Sequence, residues 1–289
     1  MRFGVVTLVL LVLCAALGPL LAPYDPAKGV GGINEPPSAA HLFGTTGQGQ
    51  DVLSQFLYGC RVSLLIAFAV ALITTLISLA VGLLAAYAGG RTDDVLSSLT
   101  NVFLVLPGLP LIVVLAAFLP PGPVTIVAVL SLTGWAFGAR LFRSQALSLR
   151  QREFIAAARL AGEARWRVLA VELLPNMLSI VAAFFVNQVI FAVGAEASLE
   201  FLGLGDSGQV TWGTMLFWAQ NGSALLQGAW WTFVIPGLGI ALTAFSLALI
   251  NHAVDERTNP RLRASDLLRQ AIGMRQRSAV LVTPVVRDA

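Results

Sequence analysis

Charge is what this sequence has least of. Only 11% of its 289 residues are charged and 57% are hydrophobic, whereas a soluble domain carries about 25% charged residues. With a mean hydropathy of +0.81 and apolar runs near the length of a bilayer crossing, the expected class is an all-α polytopic membrane protein. Lysine is nearly missing: Lys28 is the single one. A Gly-x-x-x-x-Gly-Lys-Ser/Thr phosphate loop needs that residue in a glycine-rich turn, and Lys28 sits in Pro-Ala-Lys-Gly. ATP hydrolysis by that machinery is therefore excluded for this chain. Two histidines, His41 and His252, and two cysteines, Cys14 and Cys60, have no metal-binding spacing, and both thiols are expected to pack rather than cross-link. Neither Ser nor Cys stands in a nucleophile setting. No carboxylate pair is expected in the middle of a span, where a proton-coupled carrier often has one.

What is present is arginine, and it is unevenly placed. Seven arginines fall between 140 and 167 and seven between 257 and 287, with no Lys or Arg from Val168 to Glu256. Under the positive-inside rule these clusters, with Arg2 and Arg91, mark the cytoplasmic side and put both termini there. Confined to loops and the tail, they do not form a nucleic-acid-binding face.

Six spans are predicted. Residues 1–22 form the first transmembrane helix; a secretory signal peptide is the alternative, disfavoured by near-bilayer length and by Gly18-Pro19 near its end. Residues 23–58, turn-rich with Pro23, Pro26, Pro36 and Pro37, form an extracytoplasmic loop. A core of five further helices is placed at 59–251, beginning with a span from Ser63 to Ala88. Gly89 to Asp94 is read as a turn. The third span, about Val95 to Phe118, is interrupted at Pro107, Gly108 and Pro110, a break tolerated at membrane depth only where backbone lines a cavity or is buried in protein. Further spans are expected over Val124–Ala139, Leu178–Leu199 and Trp230–Ile250, and a loop from Glu200 to Gly228. Residues 252–289 are taken as a cytoplasmic tail. Asn187, Gln188 and Glu196, polar groups inside a span, are expected to face protein or water.

The polar stretch 140–175 is too long for a simple turn. Glu153 to Ala161 is rich in helix formers, Gly162 interrupts, and Glu163 to Leu173 carries Trp166, Val168 and Leu169 on an amphipathic pattern. Pro175 suits the first turn of the next helix. Two short helices angled by a glycine predict a rigid knob. Its spacing, Ala157-Ala158, Gly162 and Leu174-Pro175, resembles the coupling-loop signature of ATP-binding-cassette importer permeases, with Ala156 where the pattern has Glu and Glu172 where it has Ile.

Two more stretches carry the same resemblance. Gly49-Gln50-Asp51-Val52-Leu53-Ser54-Gln55 is similar to the Gly-Arg-Asp-Val-Leu-Ser-Arg of dipeptide, oligopeptide and nickel permeases, with Gln50 and Gln55 in place of the arginines. Glu196-Ala197-Ser198-Leu199-Glu200-Phe201-Leu202-Gly203-Leu204-Gly205, then Trp212-Gly213-Thr214-Met215-Leu216, resembles that family's Glu-Ala-Ser-Leu-x-Phe-Leu-Gly-Leu-Gly…Trp-Gly-x-Met-Leu. Asp255 to Arg261 resembles its closing Asp-Pro-Arg, with Asn259 for Asp. The resemblance covers roughly 41 to 261 and identifies the chain as similar to the second of the two permeases.

The resemblance implies a type I importer permease fold in a bacterial cell membrane and no catalysis by this chain. It implies as partners a second homologous permease, two ATPase subunits that bind ATP and magnesium, an extracytoplasmic substrate-binding protein and membrane lipid; no cofactor belongs to the chain itself. The coupling loop would use Glu153, Ala157, Ala158, Gly162, Trp166, Leu174 and Pro175. The translocation pathway would include Pro107, Asn187, Gln188 and Glu196, and the binding protein would dock near Asp51, Gly203, Gly205 and Trp212. Short peptides are the expected cargo, with nickel chelates or haem as alternatives. A self-sufficient ion-coupled carrier and a membrane anchor are the competing classes.

Overall fold

A computed structural model describes residues 2–258; among these all regular structure is helical apart from one isolated bridge between Thr45 and Asp51. The first helix, α1 (Arg2–Leu21), packs against α2 (Val52–Ala88) and α10 (Trp231–Thr258) of the bundle, with Gly18 against the Leu57 carbonyl and Gly4 against that of Ser246.

Helix α2 (Val52–Ala88) has 37 residues, about 55 Å at 1.5 Å per residue, against a hydrocarbon thickness of about 30 Å. It begins eleven residues before the predicted Ser63. Asp51 caps it, accepting from the Ser54 N–H (2.8 Å) and hydroxyl (2.7 Å), which satisfies first-turn donors. The end of the loop placed at 23–58 is therefore helix. Gly89, at φ 64°, stops α2, and α3 (Gly90–Val105) starts at once. The predicted turn through Asp94 is thus a single residue, with Asp93 in the first turn of α3, where the helix dipole favours an acid.

Helix α4 (Gly108–Phe118) follows α3 after an 88° bend. Leu106 and Pro107 are extended, as a residue before proline tends to be. Five other helices are long and apolar enough to cross a membrane, and the bent pair makes a sixth crossing if counted as one. Helix α5 (Pro123–Arg150) opens with proline in its first turn and runs eleven residues past the predicted Ala139. It can continue because its arginines find partners on neighbouring helices. Arg143 pairs with both Asp93 oxygens (2.6 and 2.7 Å), and Arg150 donates to the Ala86 carbonyl (2.9 Å).

Next come α6 (Glu153–Leu160), α7 (Arg165–Arg167), a π-helical stretch (Val168–Leu173) and α8 (Leu174–Phe201). After α9 (Trp212–Asn221), α10 (Trp231–Thr258) ends the described chain. The predicted tail is helical as far as Thr258; its remainder, with Asn259-Pro260-Arg261, lies outside the described residues.

Small residues set the closest approaches, as expected where lipid supplies no hydrophobic drive between helices. On α2, Gly82 lies so close to α5 that a Cβ would come within 2.7 Å of the Ala139 carbonyl. Ser78 donates to the Trp135 carbonyl across the same pair (2.8 Å). The main core gathers Leu11, Ile66, Val70, Ile126, Leu130 and Val193 from α1, α2, α5 and α8.

Candidate functional site

At the arginine-rich end, α6 rests on the bundle through Ile155, which is buried with Val168 and Leu173 against Tyr87 and Leu149. Gly162 then adopts φ 79°, and the Glu163 N–H bonds back to the Ala158 carbonyl (3.2 Å). This is a left-handed helix cap, the geometry that glycine adopts without a Cβ penalty. Nothing lies within 4 Å of where a Cβ would stand, so the backbone angle, not packing, makes glycine necessary there.

The second arm differs from the expected separate short helix. From Arg165 to Phe201 the chain is helical throughout, passing through the π stretch without a stop. In that stretch the Leu174 N–H reaches five residues back to the Leu169 carbonyl. The wider turn eases the clash that the Pro175 ring would make with a carbonyl four residues earlier. Pro175 thus marks a change of helical pitch inside one rod. Of the amphipathic residues, Val168 is buried, but Trp166 is 69% exposed and Leu160 90% exposed. Glu153, Ala157, Gly162 and Pro175 are exposed as well, while Ala158 and Leu174 are half-buried. The knob thereby offers a face with a large aromatic that no described residue covers.

At the opposite end, the cap, the sequence motif proves to be a packing unit. Glu196 is fully buried and accepts from the Ser63 hydroxyl (2.9 Å). Ser63 Oγ in turn accepts from the Trp212 backbone N–H (3.2 Å). Glu200, one turn on from Glu196, accepts from the Thr211 hydroxyl, and Thr211 caps α9. Gly205 and Gly213 both press on Glu200: a Cβ at Gly213 would come within 2.6 Å of its carboxylate oxygen. Gly203 turns the chain at φ 80°. Trp212 is fully buried, stacked on Phe56 at 5.6 Å, and its indole N–H donates to the Phe56 carbonyl (3.3 Å). Asp51 is also buried, against His41 (3.0 Å). Asp51 and Trp212, expected at a docking surface, are therefore interior residues of the cap. Gly203 is exposed and Gly205 half-exposed. Further out, the Ala27 backbone N–H, then the Lys28 ammonium, hold Asp25 below the usual carboxylate range.

The sequence places Glu200 in a loop, yet it stands in the last turn of α8, buried beside Glu196. Their spacing of four residues puts both on one helix face, a signal present in the sequence. The pair sits at the cap end of α8, tied to Ser63 and Thr211, rather than mid-span.

The predicted pathway residues do not share a face. Asn187 is exposed and donates to the Ala183 carbonyl of its own helix (2.9 Å). Glu196, nine residues on, is about half a turn away around α8 and sealed from solvent. Gln188 is half-buried against Gly134 of α5 and Thr74 of α2. Pro107 is exposed at the break between α3 and α4. Missed in the sequence were the buried hydroxyls of Thr74, close to Gln188, and of Thr75 and Ser131. Hydroxyls on apolar helices carry no periodic signal that sets them apart.

Known proteins share this architecture. Residues 78–260 match the family described as binding-protein-dependent transport system inner membrane component, and residues 2–37 match the N-terminal transmembrane domain of oligopeptide transport permease C. The dipeptide transport system permease protein DppC of Bacillus subtilis is 34% identical over 263 residues, covering 90% of this chain and 81% of the relative. The oligopeptide transport system permease protein OppC of the same organism is 30% identical, covering 90% and 85%. A chain of the inward-facing MetNI methionine ABC transporter matches the fold with a TM-score of 0.55 at 19% identity, covering 69% of this chain and 96% of that one. The chain is thus a multi-pass membrane protein with the fold of a type I importer permease, and it belongs to the binding-protein-dependent transport system inner membrane components.

Proposed function

We propose that this chain is one of two permease subunits of an ATP-driven importer of short peptides, working by alternating access. The observation that carries the coupling role is the exposed knob, Glu153 to Leu173, whose second arm runs from Arg165 into span α8 without a break. A cytosolic ATPase that seats Trp166 would move α8 with it, because the helix runs unbroken from Arg165 to Phe201. Two such ATPases bind ATP and magnesium and do the hydrolysis, and this chain needs no cofactor of its own. A second, homologous permease completes the pathway, and an extracytoplasmic binding protein delivers cargo at the cap. The arginine distribution supports placing the knob and both termini in the cytoplasm. Peptide cargo is supported by the relatives, which are named as dipeptide and oligopeptide permeases; nickel and haem have no comparable support.

A deletion strain tests the assignment. It should lose uptake of di- to tetrapeptides and regain it on complementation. Loss of nickel or haem uptake with peptide uptake intact would show the cargo to be wrong. Retention of peptide transport by the purified chain alone, driven by an ion gradient, would sink the ATPase-coupled reading.

A further inference from the structure

We propose that a cleft between α2, α3 and α5, at the arginine-rich end, holds the phosphate of an anionic phospholipid, with Arg140 as its principal ligand. The occupant is a lipid of the surrounding bilayer and not cargo. The proposal rests on the reading above only for the side of the membrane that the cleft faces.

The cleft has a volume of about 140 Å³. Gly82 comes from α2, Ser97, Thr100 and Asn101 from α3, and Arg140 and Arg143 from α5, and no carboxylate lines it. Its hydroxyls are already spent: Ser97 donates to Asp93 (3.0 Å) and Thr100 to the Leu96 carbonyl (2.7 Å). Arg143 gives Nε and Nη2 to Asp93, which balances its charge. Arg140 is different. It is exposed, it donates to the neutral Asn101 Oδ1 (2.7 Å), and among the described residues it has no carboxylate partner. A guanidinium carries five N–H donors in a rigid fork, so most of those on Arg140 remain for a ligand. The Asn101 contact carries that fork across from α5 to α3, over the cleft. The unbalanced positive charge of the site therefore belongs to one oriented group with donors to spare.

Depth selects the anion. From Pro123 to Arg140, α5 rises about 25 Å at 1.5 Å per residue, close to the hydrocarbon thickness of about 30 Å. Arg140 thus stands at the level of the lipid phosphates. One turn toward the membrane centre lie Phe137 on α5 and Val105 on α3, both exposed. Phe137 precedes Arg140 by three residues and Val105 follows Asn101 by four, so each apolar residue shares a face with a polar one. Acyl chains find an apolar bed beside a cationic notch, the setting in which basic pockets between membrane helices hold anionic head groups. A phosphate oxygen pair fits the guanidinium fork in two parallel bonds. Phosphatidylcholine brings a quaternary ammonium with its phosphate and gains less from Arg140.

The test uses the transporter assembled with its partner subunits and purified in detergent. Water-soluble dihexanoyl-phosphatidylglycerol, dihexanoyl-phosphatidylcholine and inorganic phosphate are titrated separately by calorimetry at low salt. Phosphatidylglycerol is expected to bind about fivefold more tightly than phosphatidylcholine, and inorganic phosphate, which has no chains to bury, about tenfold or more weakly than phosphatidylglycerol. Arg140→Gln should bring the two lipids to near parity. Arg140→Lys, which keeps the charge without the fork, should keep part of the preference, with the Tm of the complex retained in both variants. Arg91→Gln removes an exposed arginine of α3 that does not line the cleft and should leave the preference as in the parent. Equal affinity of the parent for the two lipids overturns the proposal, as it would if the second permease covers the cleft. So does an undiminished preference in Arg140→Gln, or an equal loss in Arg91→Gln. Inorganic phosphate binding as tightly as phosphatidylglycerol would assign the cleft to a free anion and overturn the lipid. The titration needs neither cargo nor ATP, so its failure leaves the transport reading standing, and intact peptide uptake in the deletion strain would refute that reading alone.

Discussion

The two ends of the bundle are finished to different degrees. At the cap, polar side chains close on one another: Ser63 links Glu196 to Trp212, Thr211 links Glu200 to the start of α9, and Asp51 serves His41 and Ser54. Hydrogen bonds as distant in sequence as Trp231 to Thr45 (3.0 Å) tie the first loop to the last span. The arginine-rich end is tied by Arg143 to Asp93, by Arg150 to the Ala86 carbonyl and by a small apolar cluster under α6, and it leaves Leu160 and Trp166 in solvent. Buried polar networks specify packing to the extent that they are satisfied; Glu196 Oε2 alone of the buried cap carboxylate oxygens lacks a partner among the described residues, so the cap reads as a largely fixed platform. A large exposed aromatic in a knob marks a surface for a partner. The difference teaches where force should enter and where geometry should be held.

That contrast can be broken at its strongest point first. Trp212→Ala removes a fully buried ring and empties the stack on Phe56. It should lower stability by about 3–5 kcal/mol, read as a fall in unfolding temperature of the detergent-purified chain; a loss below about 1 kcal/mol would mean that the cap is not held by this residue. Gly162→Val forces a β-branched residue to φ 79° and should cost about 1–2 kcal/mol locally. Transport and ATPase association should both fall, while Gly162→Asn, tolerant of the left-handed region, should keep most of each. Normal transport and association in the valine variant would dismiss the cap geometry as unimportant. Trp166→Ala sharpens the comparison by acting in the opposite way to Trp212→Ala. Stability should change by less than about 0.5 kcal/mol, yet affinity for the ATPase should drop about tenfold or more, measured by pull-down titration. The least disruptive probe is chemical. Cysteine substituted at Ser207 should react with an impermeant thiol reagent applied outside intact cells, and cysteine at Glu163 should not; the reverse pattern would invert the two ends.

Much of this was legible in the sequence, for reasons that also mark the limits. Span number follows from apolar run length, and the knob from glycine and helix formers between two such runs. Hydropathy alone starts α2 at Ser63, although Asp51 with Ser54 three residues later is a readable cap. The continuous rod from Arg165 to Phe201 was hidden by Pro175, since a proline ordinarily suggests a new start and only the π turn accommodates it. The Glu-Ala-Ser-Leu motif was legible as a pattern, but not as a cause. Glu200, Gly205 and Gly213 meet only when α9 folds back on α8, and no local spacing shows that. The right-angle break after Leu106 depends on packing that no single stretch encodes.

The length of α2 has a mechanical consequence. One uninterrupted helix carries Gln55 and Phe56 at one end and Ala85, Ala86 and Tyr87 at the other. The residues at one end meet the first loop, Gln55 on the Pro26 carbonyl, and the Trp212 stack; those at the other meet Arg150 of α5 and the seat of α6. A rod about 55 Å long with no internal proline bends little, so a tilt imposed at its foot reappears, reversed in direction about the pivot, at its head. Cap and knob then behave as the two arms of one lever, with the close Gly82–Ala139 contact near the foot as the natural fulcrum.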